Sequence, residues 1–405
     1  MSAGASSEEG IKLGCGVRDI TPRRPAWLAG FAHRDRPTAE VESPLLVKAF
    51  VLEDVANARR VAVVVGDLIG WSAEMSAEIE VEIVERHGLD VVIFSATHTH
   101  SGPCVFTKGP EILSRSDPDY LKFLRREVHA AIGRAMATRE PVVMSRGAVE
   151  TAGLAVNRRL PTETGMATRP NPAGDCDPEM QVWKFTRPAG TTVAIWLHFA
   201  CHPTILSGHS ISSEFPGRVT RALEAAHPGV VCAYLQGCAG DVRPNLTDGA
   251  GFFRKAGEED LENFSGAAEA FAKRVLLAPM EPTGEIGVQG WRREIVARAG
   301  NPEVEIPLRL TAVRIARDAG LVALPGEPSV TYQHFVKSLS AERVWPLGYC
   351  NGLPGYLPSA AQIAEGGYES MLSCPVFGLP GPFAPELEAD LRREVSELVR
   401  AIGLG

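Results

Sequence analysis

The sequence predicts an α/β fold, a large single domain with mixed β-sheets flanked by helices. Three observations predict it. The 405 residues are 45% hydrophobic and 22% charged, an ordinary globular mix that excludes disordered, collagen-like and coiled-coil chains. Short runs such as VAVVVGD (61–67) and DVVIFSA (90–96) are apolar throughout, the mark of strands buried on both faces. These runs alternate with helically spaced segments, and no repeat or composition break divides the chain. At about 150 residues per domain the length allows two or three units, but the missing linker favours one.

The elements follow in order. Residues 1–12 are expected to be disordered, and the domain to occupy 13–405. Strands are expected over 45–52, 60–69 and 90–96. A helix over 73–86 carries Met75, Ile79, Ile83 and Val84 on one stripe. A second, over 119–137, has Pro118 at its start and turns Leu121, Leu124, Val128, Ile132 and Ala135 inward. The stretch 156–177, rich in Pro, Thr, Asn and Gly, reads as a long loop. Strands at 181–186, 192–199 and 230–235 flank a helix at 217–227. Beyond a helix at 258–276 come strands at 286–296, 305–316 and 321–324, then a helix at 329–339. Residues 348–382 are dense in Gly, Pro and Tyr and read as loops, and an amphipathic helix over 387–402 closes the chain.

Charge and composition narrow the function. A net charge of −8 and a pI near 5.8 supply no basic field for a phosphate backbone, so nucleic acid is not an expected partner. No apolar stretch reaches the roughly 18 residues of a spanning helix, so no stable membrane insertion is expected. The N-terminal MSAGASSEEGIKLG has no basic or apolar region of a signal peptide. Eight cysteines without C-x-x-C spacing suit buried, inert thiols in a reducing compartment. The expectation is a cytoplasmic protein acting on a small molecule, with homo-oligomerisation left open.

Four clusters carry chemistry, and each also has an ordinary structural reading. SATHTHSGP (95–103) follows a buried strand. Alternate side chains of an extended segment share a face, so His98 and His100 can point together at a metal, or one can ligate and the other move protons. HFACHPT (198–204) ends another apolar strand, and either His198 or His202 can ligate; Pro203 breaks the strand and puts His202 at the tip, while a histidine within a strand, as His198 is, more often belongs to the core. QGCAGDVRPN (236–245) follows a third; Gly237 and Gly240 permit close backbone approach, and Asp241, Arg243 and Asn245 can line a pocket or simply pair and cap. Glu327, in LVALPGEPS, ends a fourth strand, where the helix dipole alone would favour a carboxylate. Two histidines and one carboxylate at strand ends form a familiar catalytic zinc set with room for water. That favours a metallohydrolase over a binding module.

The motifs GVRDITP (16–22), SATHTHSGP (95–103), NR (157–158), HPT (202–204), SSEFPG (212–217), GDVRPN (240–245), PGE (325–327), GY (355–356) and GGY (366–368) stand in one order. In that order the sequence resembles the neutral/alkaline non-lysosomal ceramidase family, specifically its zinc-bearing catalytic domain. The resemblance implies that domain's fold and one zinc ion per chain held by His98, His202, Glu327 and Tyr356. It makes His100 the acid/base, and it directs Arg158 and Tyr368 to the substrate carbonyl oxygen.

Three departures shape the substrate expectation. Arg243 stands where the family carries serine, replacing a small neutral group with a permanent cation. With Asn245 it is expected to bind substrate, although Asp241 or Glu214 could hold it instead. Glu214 replaces the family's aspartate. The chain after Tyr368 is too short for the family's C-terminal immunoglobulin-like domain, and a secretory signal is not legible. The expected activity is zinc-dependent hydrolysis of a linear amide, an amidase acting on a small, polar or anionic substrate. True ceramidase activity, ester or lactone hydrolysis on the same site, and an inactive ligand-binding relative are the alternatives.

Overall fold

The structure, a computed structural model, describes residues 10–151, 153–284 and 287–405. A first sheet orders Val91–Ala96, Arg59–Gly66, Leu46–Asp54, Ile11–Asp19 and the two-residue Glu140–Pro141. A second orders Val231–Gln236, Thr192–Phe199, Glu179–Thr186, Val143–Glu150 and Glu281–Pro282. A third packs Val242–Pro244 against the hairpin Ala155–Thr162 and Gly165–Asn171. A fourth orders Gln289–Ala299, Val304–Ala316, Ala319–Ala323 and Val344–Leu347, and Glu327–Pro328 pairs with Tyr356–Leu357. Parallel and antiparallel pairs mix in the first, second and fourth sheets.

The apolar runs are explained by layering. One face of the first sheet packs on helices Ala73–His87 and Pro118–Ala137, burying Val64, Phe94, Ile79, Leu124 and Val128. Its other face meets the second and fourth sheets, where Phe50, Val63, Trp183, Trp196, Val313 and Trp345 share one interior. Strands covered on both sides have no polar face to display. Helices Glu214–Ala226 and Glu258–Leu277 cover the far face of the second sheet. Val330–Leu339 and Glu386–Ala401 cover the fourth. No described helix is long and apolar enough to cross a membrane.

Several expectations are corrected. The loop expected over 156–177 is largely the Ala155–Thr162/Gly165–Asn171 hairpin, closed by Glu163 and Thr164. Its strands escaped notice because their buried residues include Asn157, Arg158 and Arg159, which satisfy each other's surroundings through polar bonds rather than an apolar alternation. Strands at Ile11–Asp19 and Val143–Glu150 were also not anticipated. The first of these begins inside the segment expected to be disordered, whose residues 1–9 lie outside the described residues. The strand expected from Ile286 runs over Gln289–Ala299, and Ile286 itself lies outside the described residues. Within 348–382, short elements interrupt the loops: Tyr356–Leu357, helix Ala360–Glu365 and a π-helical turn at Tyr368–Leu372.

Candidate active site

Four strand ends meet at one point. Val91–Ala96 runs parallel to Arg59–Gly66 and delivers His98 and His100. Thr192–Phe199 runs parallel to Val231–Gln236 and delivers His202. Glu327 comes from the turn after Ala319–Ala323 and lies in parallel register with Tyr356, so these two side chains leave the ladder on the same side. Close approach needs missing side chains at two glycines. A Cβ on Gly30, whose φ is +101°, would lie 2.5 Å from His100 Nδ1, and one on Gly240 would lie 2.6 Å from the Glu327 carbonyl oxygen.

His98 and His100 do converge, but not by strand alternation. His98 takes a left-handed φ of 64°, an uncommon backbone state for a residue with a side chain. The three Nε2 atoms form a triangle: His98 to His202 is 2.9 Å, His98 to His100 is 3.2 Å, and His100 to His202 is 3.1 Å. Each Nδ1 faces a backbone carbonyl: Ile69 at 2.5 Å, Gly30 at 3.2 Å and Ala239 at 3.0 Å. Those carbonyls accept the Nδ1–H, which fixes the tautomer and leaves Nε2 as the lone-pair atom. Glu327 Oε2 lies 3.3 Å from His98 Nε2 and 3.5 Å from His202 Nε2, buried and without a hydrogen-bond donor.

Four lone-pair atoms therefore face one another in a buried space. Burial first, then the neighbouring His98, pushes His100 and His202 well below the ordinary histidine range, so protons on these rings do not relieve the crowding. A cation between them would. Imidazoles plus a carboxylate are the donor set of divalent transition-metal ions, and the residues present fit such an ion.

Beside this cluster sits a buried polar group. Arg158 donates through Nε to Glu369 Oε1 at 2.8 Å and through Nη2 to the Tyr356 hydroxyl at 3.0 Å. Its guanidinium carbon lies 5.5 Å from the Tyr356 ring centre and 5.4 Å from that of Tyr368. Burial works against its charge, but Tyr356, Glu369 and Tyr368 outweigh it and hold the pKa above the usual value. Burial and the Glu327 charge push the Tyr356 phenol well above its ordinary range. Arg159 holds the other Glu369 oxygen at 2.6 Å. Tyr368 is only half-buried on the π-helical turn, with its ring 5.6 Å from that of Tyr356 between centres.

The structure thus gathers His98, His100, His202 and Glu327, and sets Tyr356, Arg158 and Tyr368 next to one another. Asp241, the strand-end carboxylate expected to line a pocket or to pair and cap, serves as a cap. It accepts from Val330 N at 2.7 Å and Gln362 Nε2 at 2.8 Å, tying two helices to the turn. Asn245, expected to bind substrate, is exposed and donates to the Gly153 carbonyl at 3.0 Å, bracing that loop. His198 is a core residue, bonded to the Pro346 carbonyl and stacked on Trp345. Two site residues were missed. Tyr349 stacks on His98 at 3.9 Å between ring centres, from a left-handed turn with φ 57°. Glu369 anchors both arginines; its place next to Tyr368 in the sequence was the available signal.

Glu214 starts the helix Glu214–Ala226 with φ 55° and is fully buried. One oxygen accepts from Leu206 N at 2.5 Å, fixing the chain just beyond His202, and the other has no partner. Burial raises its pKa from 4.5 to about 7, against the pull of the Leu206, Phe215 and Ile205 amides. A carboxyl with a raised folded-state pKa binds its proton more tightly when folded. Stability therefore falls as pH rises from the unfolded to the folded value, by up to about 3 kcal/mol. Glu214→Gln keeps the acceptor and removes the titration. In urea unfolding the variant gains on the wild type between about pH 5 and pH 8; parallel pH curves for the two proteins would refute this.

With this geometry in view, the comparisons place the chain. Residues 11–262 match the family described as Neutral/alkaline non-lysosomal ceramidase, N-terminal, and the chain belongs to that family. A neutral ceramidase of Pseudomonas aeruginosa is 26% identical over 252 residues, covering 58% of this chain. The match spans only 37% of that curated relative's length. The crystal structure of neutral ceramidase from Pseudomonas aeruginosa superposes with a TM-score of 0.78 at 20% identity, covering 97% of this chain and 74% of that one. A ceramidase complexed with C2 gives 0.79 at 19% identity, covering 98% and 76%. These likenesses establish the fold.

Proposed function

We propose that this protein is a zinc-dependent hydrolase that cleaves a linear amide bond in a small, polar or anionic substrate. The observation that carries the proposal is the meeting of three imidazole Nε2 atoms with the undonated Glu327 oxygen, directly beside the Arg158, Tyr356 and Tyr368 group. His98, His202, Glu327 and Tyr356 would hold the ion, which leaves His100, whose Nε2 faces the same space, free to move protons. When bound, zinc supplies Lewis acidity and makes water nucleophilic near neutral pH.

The chain's own groups do the rest. Arg158 and Tyr368 donate to the carbonyl oxygen as negative charge develops there, in a site that excludes water and so strengthens each bond. Glu369 and Arg159 hold Arg158 still. His100 takes a proton at Nε2 from the attacking water and passes it to the leaving nitrogen, a role suited to a ring that is neutral at rest. Tyr349, stacked on His98, fixes the plane of that ligand. Membership of the ceramidase family supports amide chemistry, and the Arg243 cation favours a more polar substrate than ceramide.

A panel of N-acyl amides, ceramide, esters and lactones, assayed with and without chelator, tests the reading. Hydrolysis of amides that stops on chelation supports it; exclusive ester or lactone turnover, or ligand binding without turnover, contradicts it. Tyr368→Phe tests the oxyanion role. Its kcat falls about 100-fold while metal content by mass spectrometry stays at the wild-type level. Loss of metal in this variant would move Tyr368 into the ligand set.

A further inference from the structure

Arg243 is a cation the site has not accounted for. It lies in Val242–Pro244, opposite Val156 of Ala155–Thr162. A register shift between Asn157 and Arg159 interrupts the alternation there, yet Arg243 and Arg158 stand close enough for their charges to oppose each other. Arg158 is neutralised by Glu369. Arg243 has no carboxylate within ion-pair distance among the described residues. Neither Asp241 nor Glu214 holds it. Its Nε is buried without a partner, its Nη2 makes one long bond of 3.4 Å to the Thr204 carbonyl, and its carbon lies 4.3 Å above the Phe253 ring.

A guanidinium backed by an aromatic ring, short of acceptors and partly stripped of water, is prepared for an anion. Burial first, then Arg158, lowers its pKa to about 10, so it stays charged at neutral pH. One free cation suits a monoanion. Arg34 has little donor capacity left for a ligand, because the carbonyls of Ala29, His100 and Gly208 and the Ser101 hydroxyl already take its N–H groups. That favours a carboxylate over a phosphate dianion. Position selects the half of the substrate that carries it. The His100 amide rests on the Pro203 carbonyl and Arg243 on that of Thr204, so both flank one stretch of chain. With His100 serving the leaving nitrogen, the amine half is the part of the substrate that would come nearest the Pro203–Thr204 turn on which both residues rest.

We infer that Arg243 binds a carboxylate on the amine half of the substrate, so that the site takes N-acylated amino acids. The inference rests on the proposed amide hydrolysis. One water is consumed, the acyl C–N bond breaks, the acyl group leaves as a carboxylic acid, and the nitrogen takes the proton to release a free amino acid.

The test compares kcat/KM for N-octanoylglycine, its neutral glycinamide counterpart and N-octylsuccinamic acid, which bears its carboxylate on the acyl half. The wild type prefers octanoylglycine by about 10- to 100-fold, the range of a charge-assisted hydrogen bond. In Arg243→Ser the preference collapses to within about twofold, through a higher KM for the acid. Arg243→Met, which keeps the stem on Phe253, does the same if the serine variant folds poorly. An unchanged preference in a folded variant, or better use of the glycinamide or the succinamic acid by the wild type, overturns the inference. If none is hydrolysed, the hydrolase reading fails, and calorimetry with N-octanoylglycine still decides. Binding by the wild type that Arg243→Ser loses retains the carboxylate anchor; equal binding or none removes it.

Discussion

His202→Ala lowers amide hydrolysis by about 1000-fold or more, roughly 4 kcal/mol of barrier, and makes the residual activity indifferent to chelators. The expectation follows from where the imidazole is held. His202 is fully buried, its Nδ1–H is taken by the Ala239 carbonyl, and its Nε2 stands 2.9 Å from that of His98. It cannot turn to a substitute partner. Removing it deletes one corner of the ligand cluster, and without the ion the water is a poor nucleophile at neutral pH. Stability provides an independent readout. An ion that binds only the folded protein adds about 4 kcal/mol when present at roughly 1000 times its dissociation constant. Chelation therefore lowers the melting temperature of the wild type and leaves that of His202→Ala where it was. A variant that keeps both its activity and its response to chelator would contradict the assignment.

Arg158→Ala has the second-largest effect, and it acts on folding as well as on rate. The side chain is buried, bonded at once to Glu369 and Tyr356, and wedged against two aromatic rings. Breaking a buried ion pair costs about 3–5 kcal/mol. The lower end applies here, because Arg159 still satisfies one Glu369 oxygen. Loss of a donor to the oxyanion costs a further 100- to 1000-fold in kcat, on the order of 3–4 kcal/mol. Arg158→Lys separates the two effects. A lysine retains the charge opposite Glu369 but cannot span Glu369 and Tyr356 with a planar fork. It therefore recovers most of the denaturant midpoint and little of kcat. Equal recovery of both would make Arg158 a purely structural residue.

What the sequence disclosed follows from how each feature is buried. The strands Val91–Ala96, Thr192–Phe199 and Val231–Gln236 are covered on both faces, so their apolar runs were legible, and so was the clustering of His98, His100, His202 and Glu327 at strand ends. The hairpin that carries Arg158 was not legible. Asn157, Arg158 and Arg159 are buried through bonds to Asp175, Asp241, Glu369 and Tyr356, and such burial leaves no periodic signature. Tyr349 lies in the stretch 348–382 that reads as loop, because the left-handed turn that lays it on His98 is a tertiary event. Asp241 and Glu327 look alike as strand-end acids; only the fold spends the first on helix amides and leaves the second open. The places of Arg158, Tyr356 and Tyr368 came from motif order, not from local pattern.

Metal analysis of the purified protein, paired with its hydrolytic rate, tests the central claim most directly. The account predicts roughly one zinc ion per chain, activity that disappears when the ion is removed and returns when it is restored, and little metal in His98→Ala or His202→Ala. A protein purified without any divalent ion that hydrolyses amides at full rate would contradict it.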